Sequence, residues 1–151
     1  MKILVIVFAL LSITGCAAPL GSYGHFITKM SDEEASDHFS TEGLCRILGE
    51  HRTLMRDPFM SPSNEVAEAR KERILDLING KNTFTNEEIR LISNQQIKQG
   101  MSELSAYCSW GFPIRYNDST GSWGRHRQSI LRNDRYLYIE NGKLESWQVY
   151  R

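Results

Sequence analysis

The stretch Tyr136–Val149 constrains this chain more than any other. Tyr136-Leu137-Tyr138-Ile139-Glu140 leads into Asn141-Gly142, and Lys143-Leu144-Glu145-Ser146-Trp147-Gln148-Val149 leads out. Asn-Gly supplies both positive-φ residues of a type I′ turn, whose twist matches that of the flanking strands. The stretch therefore predicts an antiparallel hairpin. A two-residue turn sets Glu140 opposite Lys143, Ile139 opposite Leu144, Tyr138 opposite Glu145, Leu137 opposite Ser146 and Tyr136 opposite Trp147. In that register Leu137, Ile139 and Leu144 form a core face. Tyr136, Tyr138 and Trp147 share the other face with Glu140, Lys143 and Glu145; that face is solvated, covered by the loop around Trp123, or used for binding. Upstream, His126 to Leu131 reads as a strand and Asn133-Asp134 as a turn, while Asn117 to Gly124 reads as a loop rich in Gly, Ser and Asn. Aromatic residues crowd toward this third of the chain, as they do in sheets.

Before it, the apolar residues recur at helical spacing. Leu44, Ile47 and Leu48 share a face, with Gly49 as a stop. Pro58 and Pro62 mark a loop. Ser63 or Asn64 is placed to cap a helix over residues 65–78, buried through Val66, Ala69, Ile74, Leu77 and Ile78 and closed by Gly80. Thr85-Asn86-Glu87-Glu88 is a capping box, a Thr followed by Glu three residues later. Ser102 opens a shorter helix over 103–109 with Leu104, Tyr107 and Cys108 inward, ended by Trp110-Gly111-Phe112-Pro113. Helices first and a meander after them predict an α+β domain, with N-terminal helices on one face of a small antiparallel sheet of about three strands.

The N-terminus carries a different signal. Met1-Lys2 precedes an uncharged apolar run from Ile3 to Ile13, too short for a bilayer, which takes about 20 apolar residues, and suited to a signal peptide. Ile13-Thr14-Gly15-Cys16 resembles the bacterial lipobox, an aliphatic residue and two small ones before the cysteine that takes a diacylglycerol. The reading is a signal peptide over 1–15, a lipid on Cys16, a flexible tether over 16–40 and one domain over 41–151. A diacylglycerol plus an N-acyl chain anchors durably, with no transmembrane helix. Ala17, not Asp, follows the cysteine; by resemblance to enterobacterial sorting this points to the outer membrane, facing the periplasm, and away from the inner membrane. The mature chain would keep 136 of the 151 residues, with 17 basic side chains against 18 acidic. That neutrality gives no general pull toward nucleic acid.

Cys45 and Cys108 remain. Exported proteins meet an oxidising compartment, where two cysteines often pair; the bridge would close a loop of about 64 residues, worth roughly 4 kcal/mol in the chain-entropy model. The alternative is two buried thiols. His25, His38, His51 and His126 are scattered without ligand spacing, so no metal is expected, and no cofactor motif or small-molecule site is evident. The serines lack the glycine context of a nucleophile elbow. Glu87-Glu88 reads as a helix start and Arg125-His126-Arg127 as a strand edge or binding rim. Trp110 reads as a plug between helices and sheet, with a binding role as the alternative. Trp123, in Gly121-Ser122-Trp123-Gly124, either covers the sheet or touches a partner.

Ile97-Lys98-Gln99-Gly100-Met101-Ser102, then Trp110-Gly111-x-Pro113, then the hairpin with Asn141-Gly142, resemble the SmpA/OmlA-like lipoproteins. In that family a G-M-[ST] segment opens a short helix, G-x-P follows, and an N-G or D-G hairpin closes the domain. The match spans roughly 85–149; the helical segment 41–80, both cysteines and the Trp123 loop depart from it. The resemblance implies two helices on a three-stranded sheet and a non-enzymatic, protein-binding role in envelope maintenance, with β-barrel assembly components as possible partners. The expected partner surface is Trp123, Tyr136, Tyr138 and Trp147 with Arg125 and Arg127 at its rim. A second expectation is an inhibitor of an envelope-active enzyme of the lysozyme or β-lactamase type, entering its cleft with the 117–124 loop.

Overall fold

The computed structural model describes residue 27 and residues 29–55 and 63–150. The signal segment, Cys16, the first part of the expected tether and the loop holding Pro58 and Pro62 lie outside the described residues.

The first described helix corrects the tether. Ser31-x-x-Glu34 is itself a capping box, and it starts α1 (Asp32–His38). Ala35 is fully buried and Phe39 nearly so. Arg73 donates to the carbonyls of Ile27 and Met30 and to Asp32, and Lys81 donates to the carbonyl of Ser36. Residues 31–40 look polar in sequence because only one narrow side of a two-turn helix is buried. They belong to the folded unit.

Four more helices follow: α2 (Thr41–Leu54), α3 (Asn64–Gly80), α4 (Asn86–Ser93) and α5 (Glu103–Trp110). Helix α2 runs through Gly49, which faces open space. It continues because its last turns are held elsewhere: His51 is buried, and Arg52 donates to the carbonyls of Ile92, Cys108 and Ser109. In α3 the buried stripe begins at Ala67, not at Val66, which is half exposed, and passes by Ala69, which is exposed; Ile74, Leu77 and Ile78 follow as expected. Ser63 occupies the cap position of α3 without a side-chain cap bond.

The sheet has four strands in the order β1-β2-β3-β4, all antiparallel. They are β1 (Arg115–Gly121), β2 (Gly124–Leu131), β3 (Arg135–Glu140) and β4 (Lys143–Val149). The α+β class and the order of helices before strands are as expected; the extra strand is β1, where a loop was expected. No apolar alternation marks it, since almost all its side chains are exposed. Pairing with β2 makes it a strand, from Arg115↔Ile130 to Gly121↔Gly124.

Two apolar cores share Phe112 at their border. One is all-helical, around Leu44, Leu48, Ile74, Ile78 and Ile92. The other joins Leu91, Ala106 and Tyr107 to Leu131, Leu137, Ile139 and Leu144 of the sheet. Thus α4 and α5 cover the sheet, and α1 to α3 form an outer layer behind them. The Cys45 and Cys108 sulfurs lie at bonding distance, 2.12 Å, and join α2 to α5. Among the described residues, no helix is long and apolar enough to cross a membrane.

Candidate functional site

The hairpin turn forms as its residues dictate, with φ of 48° at Asn141 and 79° at Gly142. Glu140 and Lys143, and Ile139 and Leu144, pair as expected. Between Tyr138 and Ile139 the register then shifts, so that Tyr138 faces Ser146, Leu137 faces Trp147 and Tyr136 faces Gln148. Glu145 is the extra residue, a bulge that inverts the facing of everything after it. Trp147 therefore joins Leu137 and Leu144 on the helix side. The expected grouping of Trp147 with Tyr136 and Tyr138 is corrected.

On the helix side Trp147 meets Trp110 edge to face, with ring centroids 6.4 Å apart. Trp110 is pinned by its indole N–H, which donates to the Gln95 carbonyl at 3.1 Å, and the Arg135 guanidinium lies 5.4 Å from its ring centroid. Beside them lies a shallow, open groove of about 460 Å³, lined by both tryptophans with Leu91, Gln95, Gln96, Ile97 and Lys98. Trp147 stays 41% exposed there. Trp110 thus closes the seam between helices and sheet and also forms one wall of this groove.

The motif residues position that groove. The Gly100 N–H donates to the Leu144 carbonyl at 2.7 Å, the Leu144 N–H to the Met101 carbonyl at 2.9 Å, and the Glu103 N–H to the Gly142 carbonyl at 2.9 Å. Residues 100–103 thus lie along the start of β4 as a rudimentary fifth strand. Gly100 holds a φ of 86° that favours glycine. Met101 is buried and Ser102 caps α5. Gly111, at a φ of 106°, ends α5 with its N–H on the Tyr107 carbonyl, and Pro113 follows on the way to β1.

Arg125 and Arg127 point to the helix side, away from Tyr136 and Tyr138. Arg127 forks onto Asp118 at 2.5 and 2.6 Å, donates to Glu103 at 2.9 Å, and lies 4.2 Å from the Tyr116 ring centroid. Arg125 reaches the same Glu103 oxygen at 3.3 Å, and Tyr107 donates to it at 2.7 Å while sharing a bond with Ser129. Burial pushes the Tyr107 hydroxyl's pKa up, and the Asp118 carboxylate leads the effects that raise that of Arg127. The guanidinium of Arg127 is committed to contacts within the fold. Its charge lets β1, which has no apolar face, attach to α5.

Among the described residues no helix packs on the opposite face of the sheet. Gln128 donates to the Tyr138 hydroxyl at 3.2 Å, and that hydroxyl donates to Gln148 at 2.8 Å. Tyr136 stacks edge to face on Tyr150. Tyr138 is therefore tied into a self-satisfied polar row. Trp123, 62% exposed, stands at the β1–β2 turn and folds back over Gly121, where a Cβ would strike its ring. It covers the turn, not the sheet.

Burial raises the Glu88 pKa, but hydrogen bonds from the Ser102 N–H, the Ser105 hydroxyl and the Thr85 N–H outweigh it and hold the carboxyl at about 2, which suits a structural clamp. His126 Nδ1 lies 3.1 Å from Glu140 across β2 and β3, on the open face. No group of three or more His, Cys, Asp or Glu among the described residues is placed to hold a metal. The chain matches no family model, no curated protein and no solved structure.

Proposed function

We propose that this chain is a lipid-anchored envelope protein that binds another protein and performs no chemistry of its own. The observation that carries the reading is the Trp110–Trp147 groove: two tryptophans meet at the sheet margin and one is left 41% exposed. Clefts that pair aromatic walls with a few polar groups are common anchoring points. The lipobox at Ile13–Cys16 supports attachment through Cys16, and Ala17 supports the outer membrane, periplasmic side. Two helices on an antiparallel sheet, with residues 100–103 docked on the hairpin, are in keeping with the SmpA/OmlA-like resemblance and with a role in outer-membrane upkeep. The test is mild crosslinking of the tagged full chain in its own envelope, beside Cys16→Ala and Trp147→Ala. The reading expects one reproducible protein partner, lost in Trp147→Ala and reduced in Cys16→Ala; recovery of none from the wild type would sink it. β-barrel assembly components among the partners would extend the resemblance to function.

One observation favours inhibition of an envelope enzyme as a second reading. Trp123, folded back over Gly121, stays 62% exposed on the two-residue turn at the tip of β1 and β2, and a narrow tip of that kind is suited to entering a cleft. Lysozyme and β-lactamase assays with added protein test it, and unchanged rates at micromolar concentration would rule it out for those enzymes.

A further inference from the structure

The margin of the sheet beside the groove has one half filled and one half empty. Residues 142 and 144 turn their backbone groups outward and are met by residues 100, 101 and 103. Past the bulge the parity changes. Tyr138 and Tyr136 face Ser146 and Gln148, and the Tyr150 N–H donates to the Asp134 carbonyl at 3.0 Å, so residues 146, 148 and 150 turn inward to β3. Trp147 and Val149 must then direct their N–H and C=O groups away from the sheet. Among the described residues no backbone group meets them. Upstream of Gly100 the chain leaves the margin, and the groove opens where a fifth strand would have continued.

We infer that this open half-edge receives an extended, acidic peptide segment of a partner protein, which adds as a strand along residues 146–149 and lodges a bulky apolar side chain in the Trp110–Trp147 groove. The inference rests on the protein-binding reading above. Side chains of an added strand alternate between faces, so the residue opposite Trp147 points to the helix side and into the groove. The edge is only about 13 Å long at 3.3 Å per residue, too short to hold a segment by main-chain bonds alone, which is why an anchoring side chain is required. Charge sets the sign of the segment. Lys98 lines the groove and Arg135 lies against Trp110. Among the described residues Lys98 pairs with Glu87, both more than half exposed, and such a pair contributes little and exchanges readily. The nearby acid, Glu145, accepts a bond from Gln99.

The probe is a displayed library of ten-residue peptides, selected on the full chain in detergent micelles. The inference expects enriched peptides that alternate large apolar residues with Asp or Glu. Their affinity, read by fluorescence anisotropy, should fall at least about tenfold in Val149→Pro, which removes an outward N–H, and remain unchanged in Tyr138→Ala on the other face. Slowed hydrogen exchange at Trp147 and Val149 on peptide binding checks the mode without any variant. No enrichment, or binders indifferent to Val149→Pro that leave both amides unprotected, would overturn it. Envelope crosslinking of Val149→Pro separates the two levels. Partners retained there reject strand addition and leave partner binding standing, whereas a wild type without partners rejects the broader reading.

Discussion

Glu88 offers the sharpest test of how the two helices over the sheet are held. Its carboxylate accepts from the Thr85 N–H at 3.1 Å and the Thr85 hydroxyl at 3.2 Å, closing the capping box of α4. The other oxygen accepts from the Ser102 N–H at 2.8 Å and the Ser105 hydroxyl at 2.7 Å, at the first turn of α5. One carboxylate thus caps two helices, and its pKa falls from 4.5 to about 2. At about 1.4 kcal/mol per unit, that shift corresponds to roughly 3 kcal/mol; partial solvation of the side chain reduces this to about 2 kcal/mol. A depressed carboxyl contributes in full above its unfolded pKa of 4.5 and is lost as pH falls through about 2. Glu88→Gln keeps the shape, removes the charge and turns an amide donor toward existing donors. At pH 7 its urea unfolding should show a loss of about 2 kcal/mol. The wild type should lose the same advantage on acidification, so the two unfolding curves should converge by about pH 2. A gap that stays constant from pH 7 to pH 2, or a loss under about 0.5 kcal/mol at pH 7, would refute the double-cap account.

Three further outcomes follow from the packing. Reducing the Cys45–Cys108 bridge, separated by 63 residues, should lower unfolding free energy by up to about 4 kcal/mol, measured by urea titration with and without reductant; Cys45→Ser with Cys108→Ser should match the reduced wild type. Burial first, and the Arg70 charge next, lower the pKa of His51 below 6.5; the unfolded chain then takes up the proton first, so stability should decline as pH falls below 6.5 and this slope should flatten in His51→Gln. Gly124 holds a φ of 104° and a Cβ there would strike the Asn141 side chain, so Gly124→Ala should cost about 1–3 kcal/mol by thermal unfolding, with Gly49→Ala neutral or stabilising in the same assay.

Much of the candidate site was legible locally. Asn141 and Gly142 read as a turn, Gly111 as a helix end and Gly100 as part of the resembling motif, and all four hold positive φ. Thr85, Glu88 and Ser102 are legible as helix starts because a cap involves only neighbours in the chain. Ser31 and Glu34 carry the same signal, but the acidic run around them masks the one buried side of α1. Other features were not legible. Arg127 looks like a free basic residue until Glu103, from α5, and Asp118, from β1, close on it. The paired backbone of residues 100–103 and β4 joins segments separated by some forty residues of chain, and no periodicity reports it.

The hairpin shows the division most plainly. Its sequence determined the turn and the first two pairs, because Asn141 and Gly142 impose their dihedral angles whatever surrounds them. The side on which Trp147 lies was decided by the tertiary structure. With a straight register it would stand beside Tyr136 in water; with the bulge at Glu145 it reaches Trp110 and extends the apolar face begun by Leu144 and Leu137. Contact with an indole supplied by α5 outweighs the ladder bond lost at the bulge, and only the assembled helices and sheet bring that indole within reach.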